Sequence, residues 1–469
     1  MVVRYLGLEI PIKNHPELDP DFVPLHLFNK AFLQEARKPV GIAVERSNGE
    51  MAVVETYIHA TEEMREADHY YIDRLVKTIL WMKGGFRIYV RGDEDIFHFL
   101  QSIYCEGGKQ HFDWDYMSHV FEHPFELVLT DCLPTAKDSP KAIGGHLDGC
   151  RIGFDAGGSD RKVSAVIDGE PVYSEEVVWY PKINSDPDYH YEGIVSALRA
   201  AAAHLPRVDA VGVSSAGVYI NNRTMNASLF LQVPQELFDQ KVKDIYIRAI
   251  TDTFGEVPYC VVNDGDVTAL AGAMSLHTNN VLGIAMGTSE AVGYVDAEGR
   301  ITGWLNELAF VPVDANPDAM RDEWSGDIGC GVKYFSQDAV IKLAPAAGIV
   351  LDESLAPAQK LKQVQALMES EDARAAAIFR SIGVYLAHSL AYYESLYHCE
   401  NLLLLGRVMS GRGGDILLDS CRAVMEDEYP ELSRSMHLAL PDEKFRRVGQ
   451  SAVAASLPVV LSDKHSEKA

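Results

Sequence analysis

The chain has 469 residues, 47% hydrophobic and 23% charged, a balance that belongs to folded globular proteins and excludes wholesale disorder. Its formal net charge is −26 with no basic patch, so phosphate backbones and anionic membranes would repel it, and neither nucleic acid nor membrane is expected as a partner. The seven cysteines stand singly, which suits reduced thiols. The polar, proline-interrupted start MVVRYLGLEIPIKNHPELDP is no secretory signal, no run of 18 apolar residues occurs, and a cytoplasmic location is expected.

Residues 1–145 read as a mixed α/β domain of unassigned role. Val40–Glu45 and Met51–Ile58 flank Asn48-Gly49, the pattern of a hairpin. A helix is expected over Tyr71–Met82, a strand at Phe86–Val90, a helix near Glu94–Tyr104 and a strand at Phe125–Thr130. The stretch Thr135–Gly145 has the composition of a linker, which sets a boundary near residue 145.

From there the pattern sharpens. The strand Arg151–Asp155 runs into Ala156-Gly157-Gly158-Ser159, and strands follow at Val163–Ile167 and from Pro171. Next come a helix (Tyr191–His204), a strand (Ala210–Ser214), a helix (Ile245–Phe254), a strand (Tyr259–Val262) and an alanine-rich helix (Val267–Leu276). The strand Val281–Met286 ends in Gly287-Thr288-Ser289 and is followed by Ala291–Val295. The rest is mostly helical, with a long helix over Ala373–His398, a strand at Asn401–Leu405, a helix over Asp415–Glu426 and a small-residue helix near Gly449–Ala455. Strand, glycine turn, strand therefore occurs twice, at 151–167 and 281–295.

A strand that ends in glycines aligns backbone N–H groups with no Cβ in the way, a shape that can wrap a phosphate. Two such turns, each opening an α/β half, point to two lobes on a nucleotide, while the absence of GxxxxGK[ST] argues against a P-loop. Between them, Asn263 and Asp264 end an apolar strand just before a helix, where α/β sheets place ligands. Asp264 there can accept the proton of an attacking hydroxyl that Asn263 orients; alternatively, Asp264 or Asp266 caps the helix.

The order Gly153-Phe-Asp-Ala-Gly-Gly-Ser159, Gly212-Val-Ser-Ser-Ala-Gly217, Val262-Asn-Asp-Gly-Asp-Val-Thr-Ala-Leu-Ala271 and Met286-Gly-Thr-Ser289 resembles the ROK sugar kinases of the sugar kinase, Hsp70 and actin superfamily. The resemblance spans about residues 150–460. It implies an α/β fold of two RNase H-like lobes (146–280 and 281–469) around a cleft, preceded by the additional 1–145 domain. It implies ATP- and Mg²⁺-dependent phosphorylation of a sugar or polyol hydroxyl, with Asp264 as general base and Asp155 near the Mg²⁺ through water. Gly157, Gly158, Ser159, Gly287, Thr288 and Gly406 would surround the nucleotide phosphates, and Asn263, Glu307, Ser215 and Gly217 would meet the acceptor. A homodimer is expected. Lys162 either adds charge at the first turn or is an exposed strand lysine.

The resemblance breaks in the sugar and zinc motifs. Where the family carries a zinc-binding histidine and cysteines, this chain has Phe310, Glu323, Ser325 and Cys330, and the family's sugar-contacting glutamate becomes Val332. One cysteine cannot make a tetrahedral site, so no structural zinc is expected. Trp324 either stacks on a sugar face or is a structural tryptophan. Glu290, at a glycine position of the family, is expected to set a carboxylate close to the phosphates. A catalytically weak or inactive sugar- or nucleotide-binding regulator is the alternative function. A ROK-type repressor is disfavoured because 1–145 lacks a basic recognition helix.

Overall fold

The structure, a computed structural model, describes residues 1–140, 143–440 and 449–460. The chain is mixed α/β and divides into two compact units. The first unit comprises Met1–Ser139, Ile284–Val292 and Trp304–Leu440; the second holds Pro140–Gly283, Gly293–Gly303 and the described C-terminal stretch from residue 449. The N-terminal segment thus shares a unit with most of the C-terminal third, and the divide falls at 139/140 instead of at 145. Lys141 and Ala142, inside the expected linker, lie outside the described residues.

In the first unit, the expected hairpin forms from Lys38–Arg46 and Glu50–Ile58, with Asn48 in the left-handed conformation at the turn. Its sheet runs Glu50–Ile58, Lys38–Arg46, Arg87–Arg91, Glu126–Leu129, and the last pair is parallel. The helix Arg65–Lys83 starts six residues before the expected Tyr71 and is buried along nearly its whole length. Helices at Leu25–Glu35, His111–Phe121, Gln337–Ala346 and Pro357–Glu369 were not legible in the sequence pattern. The long helix Ala373–Tyr397, capped by Asp372, buries most of its surface, as its apolar stripe demands.

The second unit holds a five-stranded sheet ordered Tyr259–Asn263, Ala210–Ser215, Cys150–Ala156, Asp160–Ile167, Glu170–Val178. Its first three strands are parallel and its last two reverse through tight turns. Ile152, Phe154, Val211, Val213 and Val261 carry the core against the helices Pro187–Ala202 and Ile245–Phe254. The apolar runs of those strands fit burial on both faces. The short helix Gln450–Ala454 packs on the sheet, where the hydroxyls of Ser451 and Ser164 are 2.8 Å apart. A further four-stranded sheet is ordered Glu290–Val295, Val281–Met286, Asn401–Leu405, His437–Ala439.

Candidate active site

In the second unit, the parallel strands Cys150–Ala156 and Ala210–Ser215 place Asp155 directly beside Ser214. Ser214 Oγ donates to Asp155 Oδ1 at 2.8 Å, and only 6% of Asp155 is exposed. Burial pushes its carboxyl up to about 6; the Ser214 bond opposes this, and the negative charge of Asp264 adds to it. Asp264 opens the helix Asp264–Leu276, and its carboxyl is likewise raised by burial, offset in part by the backbone N–H groups of Gly265 and Asp264 itself. Two carboxylates with raised proton affinity therefore stand at the carboxyl ends of parallel strands that flank Ala210–Ser215 in the sheet. A cation or a proton would relieve both.

The helix cap is Asn263, whose Oδ1 accepts from Gly265 N at 2.7 Å. Asp264 is thereby free of the capping role. Asn263 Nδ2 donates to the Gly217 carbonyl at 2.7 Å, so the amide expected to orient a hydroxyl is also the brace between the Gly217 loop and the helix start. Ser215 is fully buried and its hydroxyl pairs with Tyr246 at 2.9 Å. Asp266 Oδ1 accepts from the backbone of Tyr294 at 3.3 Å.

The first glycine turn is held by Trp179, which donates Nε1 to Gly157 O at 2.8 Å while its backbone N–H bonds Ser159 O. Lys162 is 39% exposed on its strand, 3.4 Å from Asp160 and 3.9 Å from Glu176, which matches the exposed-lysine reading. The sequence reading missed Lys182: a Cβ on Gly158 would lie 3.0 Å from its Nζ, so its ammonium sits over the turn. No motif marks Lys182, because the chain returns to the turn through the short helical turn Pro181–Ile183, more than twenty residues further on.

In the first unit, the second glycine turn leaves Thr288 and Ser289 exposed and closes with Gly287 N donating to Ser289 O at 2.9 Å. Gly406, at φ 99°, comes so close that a Cβ there would meet Met286 O at 2.3 Å. Gly287 and Gly406 are thus neighbours, as two walls of one phosphate site would be. Glu290 turns inward instead of toward the turn: it is 3% exposed and neither carboxylate oxygen has a hydrogen-bond partner. A Cβ at Gly331 would lie 2.5 Å from its Oε2, so the glycine makes room for it. Burial, and then Glu307, push the Glu290 carboxyl well above its usual range, which favours its neutral form. Glu307 is half-buried, with its backbone N–H on Trp81 O at 3.0 Å.

The four positions of the expected zinc set do not fit a metal. Phe310 packs on Trp81 at 4.3 Å between ring centroids, Glu323 pairs with Lys333, and Ser325 Oγ donates to Asp322. Burial pushes the Cys330 thiol up to about 12, far from the thiolate that zinc needs. Trp324 is 64% exposed beside Phe310 and Phe112, so it is no buried structural tryptophan. Arg412 pairs with Glu371 at the surface.

A ROK hexokinase from Thermus thermophilus superposes with a TM-score of 0.51 at 18% identity, covering 65% of this chain and 96% of that one. A ROK family transcriptional regulator, a homolog of the E. coli MLC protein, gives 0.50 at 17% identity, over 66% of this chain and 79% of that one. The fold is ROK-like. No protein-family model and no curated protein matches the chain by sequence. One neighbour of this ROK-like fold is a hexokinase and the other a transcriptional regulator, so the chemistry must be argued from side chains. Among the described residues, no helix is long and apolar enough to cross a membrane.

Proposed function

We propose that the chain is an ATP- and Mg²⁺-dependent kinase that phosphorylates a hydroxyl of a sugar or sugar-like polyol. The observation that carries this reading is the pair Asp155 and Asp264, two carboxylates at the ends of parallel strands, each raised chiefly by burial and Asp155 further by the charge of Asp264. A general base works best with a proton affinity lifted toward the working pH, and Asp264, relieved of capping by Asn263, has that property. In this reading Asp264 takes the proton of the attacking hydroxyl. Asp155, fixed by Ser214, would hold Mg²⁺ through water, and the bound ion would neutralise charge on the phosphate oxygens. The Gly157–Ser159 turn, braced by Trp179, presents N–H groups to phosphate with Lys182 above it. Gly287, Thr288 and Gly406 make the corresponding surface of the first unit, and Glu307 accepts from an acceptor hydroxyl.

A second reading, a sugar- or nucleotide-binding protein with little or no turnover, is favoured by one observation. Ser215 and Asn263 spend their side chains on Tyr246, Gly217 and Gly265, which leaves fewer groups to orient an acceptor. The two readings separate in one experiment: ADP release from Mg·ATP over a panel of hexoses, amino sugars, sugar acids and polyols, with Asp264→Asn in parallel. Turnover that collapses in the variant supports the kinase. Binding by calorimetry without turnover supports the second reading.

A further inference from the structure

The role of residues 1–139 is carried by one buried cluster within the first unit. The helix Arg65–Lys83 buries Asp73, Arg74 and Lys77 almost completely. Arg74 Nη1 donates to Asp327 Oδ2 at 2.9 Å, and its Nη2 to Asp73 at 2.8 Å. Lys77 Nζ reaches both oxygens of Asp113 at 2.8–2.9 Å and lies 3.4 Å from Asp327. Asp73 also accepts from Gln110 at 2.9 Å and from Lys109 at 2.8 Å. Burial would pull Lys77 down, but Asp113 and Asp327 outweigh it and keep it charged. Burial would raise Asp327, but Arg74 and Lys77 hold it well below the usual carboxylate range.

An aromatic group lies beside these ions. Trp81 Nε1 donates to Asp113 at 2.9 Å, and its ring packs on Phe310, which also meets Phe112 and Trp324. The last carbonyls of a helix have no partner within it. Here those of Trp81 and Met82 accept the N–H groups of Glu307 at 3.0 Å and Asn306 at 2.9 Å. Asn306, itself at φ 52°, is held from the other side by Tyr397 OH at 3.0 Å.

We propose that the N-terminal segment, through Arg74, Lys77, Trp81, Phe112 and Asp113, is a metal-independent clamp that positions residues 305–331 and with them Glu307. The clamp occupies the place of the zinc set, of whose four ligands this chain keeps only Cys330. Its two ends differ in chemistry: ion pairs fix Asp327, while backbone bonds and aromatic packing fix Asn306–Phe310. Arg74, Lys77 and Trp81 are positioning residues, since they act through Glu307 and Asp327. That Glu307 meets an acceptor rests on the kinase reading; the clamp itself does not.

The test uses the full-length chain. Asp327→Asn removes a shared carboxylate from two buried cations, Arg74 and Lys77, and is at risk of misfolding, so the deciding variant is Phe112→Ala, at the half-buried edge of the aromatic group. Hydrogen exchange across 305–310 should accelerate at least 10-fold in Phe112→Ala, with the strand Cys150–Ala156 unaffected. Wild-type protein should carry no stoichiometric zinc, and dialysis against EDTA should leave its exchange unchanged. With any acceptor that turns over, the variant should raise the acceptor KM several-fold while kcat and the ATP KM hold. Unchanged exchange in Phe112→Ala, or stoichiometric zinc whose removal loosens 305–331, overturns the proposal. Exchange and metal content need no turnover, so failure of the clamp and failure of the kinase reading are separate results.

Discussion

Two groups of carboxylates, Asp73, Asp113 and Asp327 in the first unit and Asp155 and Asp264 in the second, differ in the cations that face them. In the first unit, Asp73, Asp113 and Asp327 are matched by Arg74, Lys77 and Lys109 at hydrogen-bonding distance. In the second, Asp155 has one serine hydroxyl, the charge of Asp264 against it and the weaker effect of the Lys162 charge in its favour, and Asp264 has only backbone N–H groups. Facing cations hold Asp73 and Asp327 below the usual carboxylate range and offset part of the burial that raises Asp113, whereas a carboxylate without such a partner is driven toward its neutral form. The first arrangement builds structure. The second leaves a demand for positive charge that a ligand can meet, which is why perturbed carboxylates are a guide to function.

This contrast is most sharply tested where the effects are largest. Asp264→Asn should lower the turnover number by about 10²–10⁴-fold, the scale of losing a general base, while melting temperature stays level or rises. A variant that loses activity only by unfolding would break the contrast. In the matched cluster, Lys77→Met should cost about 3–5 kcal/mol in denaturant unfolding, because it leaves Asp113 and Asp327 buried against fewer cations. Lys77→Met combined with Asp113→Leu should recover a good part of that loss, and additivity of the two would count against a coupled pair.

Asp155 offers a subtler check, through pH. Its folded-state pKa lies above the unfolded value, so protonation favours folding; that contribution is full below about pH 4 and is lost as pH rises through about 6. Asp155→Asn removes the penalty of ionisation and should stabilise the protein by about 3 kcal/mol at most at pH 7.5. The gain should fade toward pH 4 and shrink when Asp264→Asn is also present. Asp327 has the opposite sign: its stabilisation is present above about pH 4 and is lost as pH falls below that. The smallest effect concerns Glu290. Glutamine mimics its protonated form, so Glu290→Gln should change stability by less than about 1 kcal/mol at pH 7, and a large loss would mean that the carboxylate is ionised after all.

Much of the architecture could be read without a structure because its signals are local. The strand-turn-strand units at 151–167 and 281–295, the hairpin about Asn48, and the helix Ile245–Phe254 follow from apolar periodicity and turn residues within a few positions of one another. The same short-range signals set Asp155 and Asp264 at strand ends. Whether Asp264 was a base, or Asp264 or Asp266 the cap of the next helix, was even in the sequence; the bond from Gly265 N gives the cap to Asn263, a residue that the sequence pattern marks only for orienting a hydroxyl.

What the sequence determined by itself, then, was the order of elements, the glycine turns and the two candidate carboxylates, because periodicities of two and 3.6 residues and the geometry of turns act over short stretches of chain. Tertiary structure alone decided that residues 1–139 join the C-terminal third, that Lys182 covers the Gly158 turn, and that Glu290 is folded inward against Gly331. It also set Arg74 against Asp327 across 253 positions of chain. An ion pair or a packed ring has no preferred spacing along the sequence. Its partners are chosen by which surfaces the fold brings together and by the cost of leaving a charge buried alone.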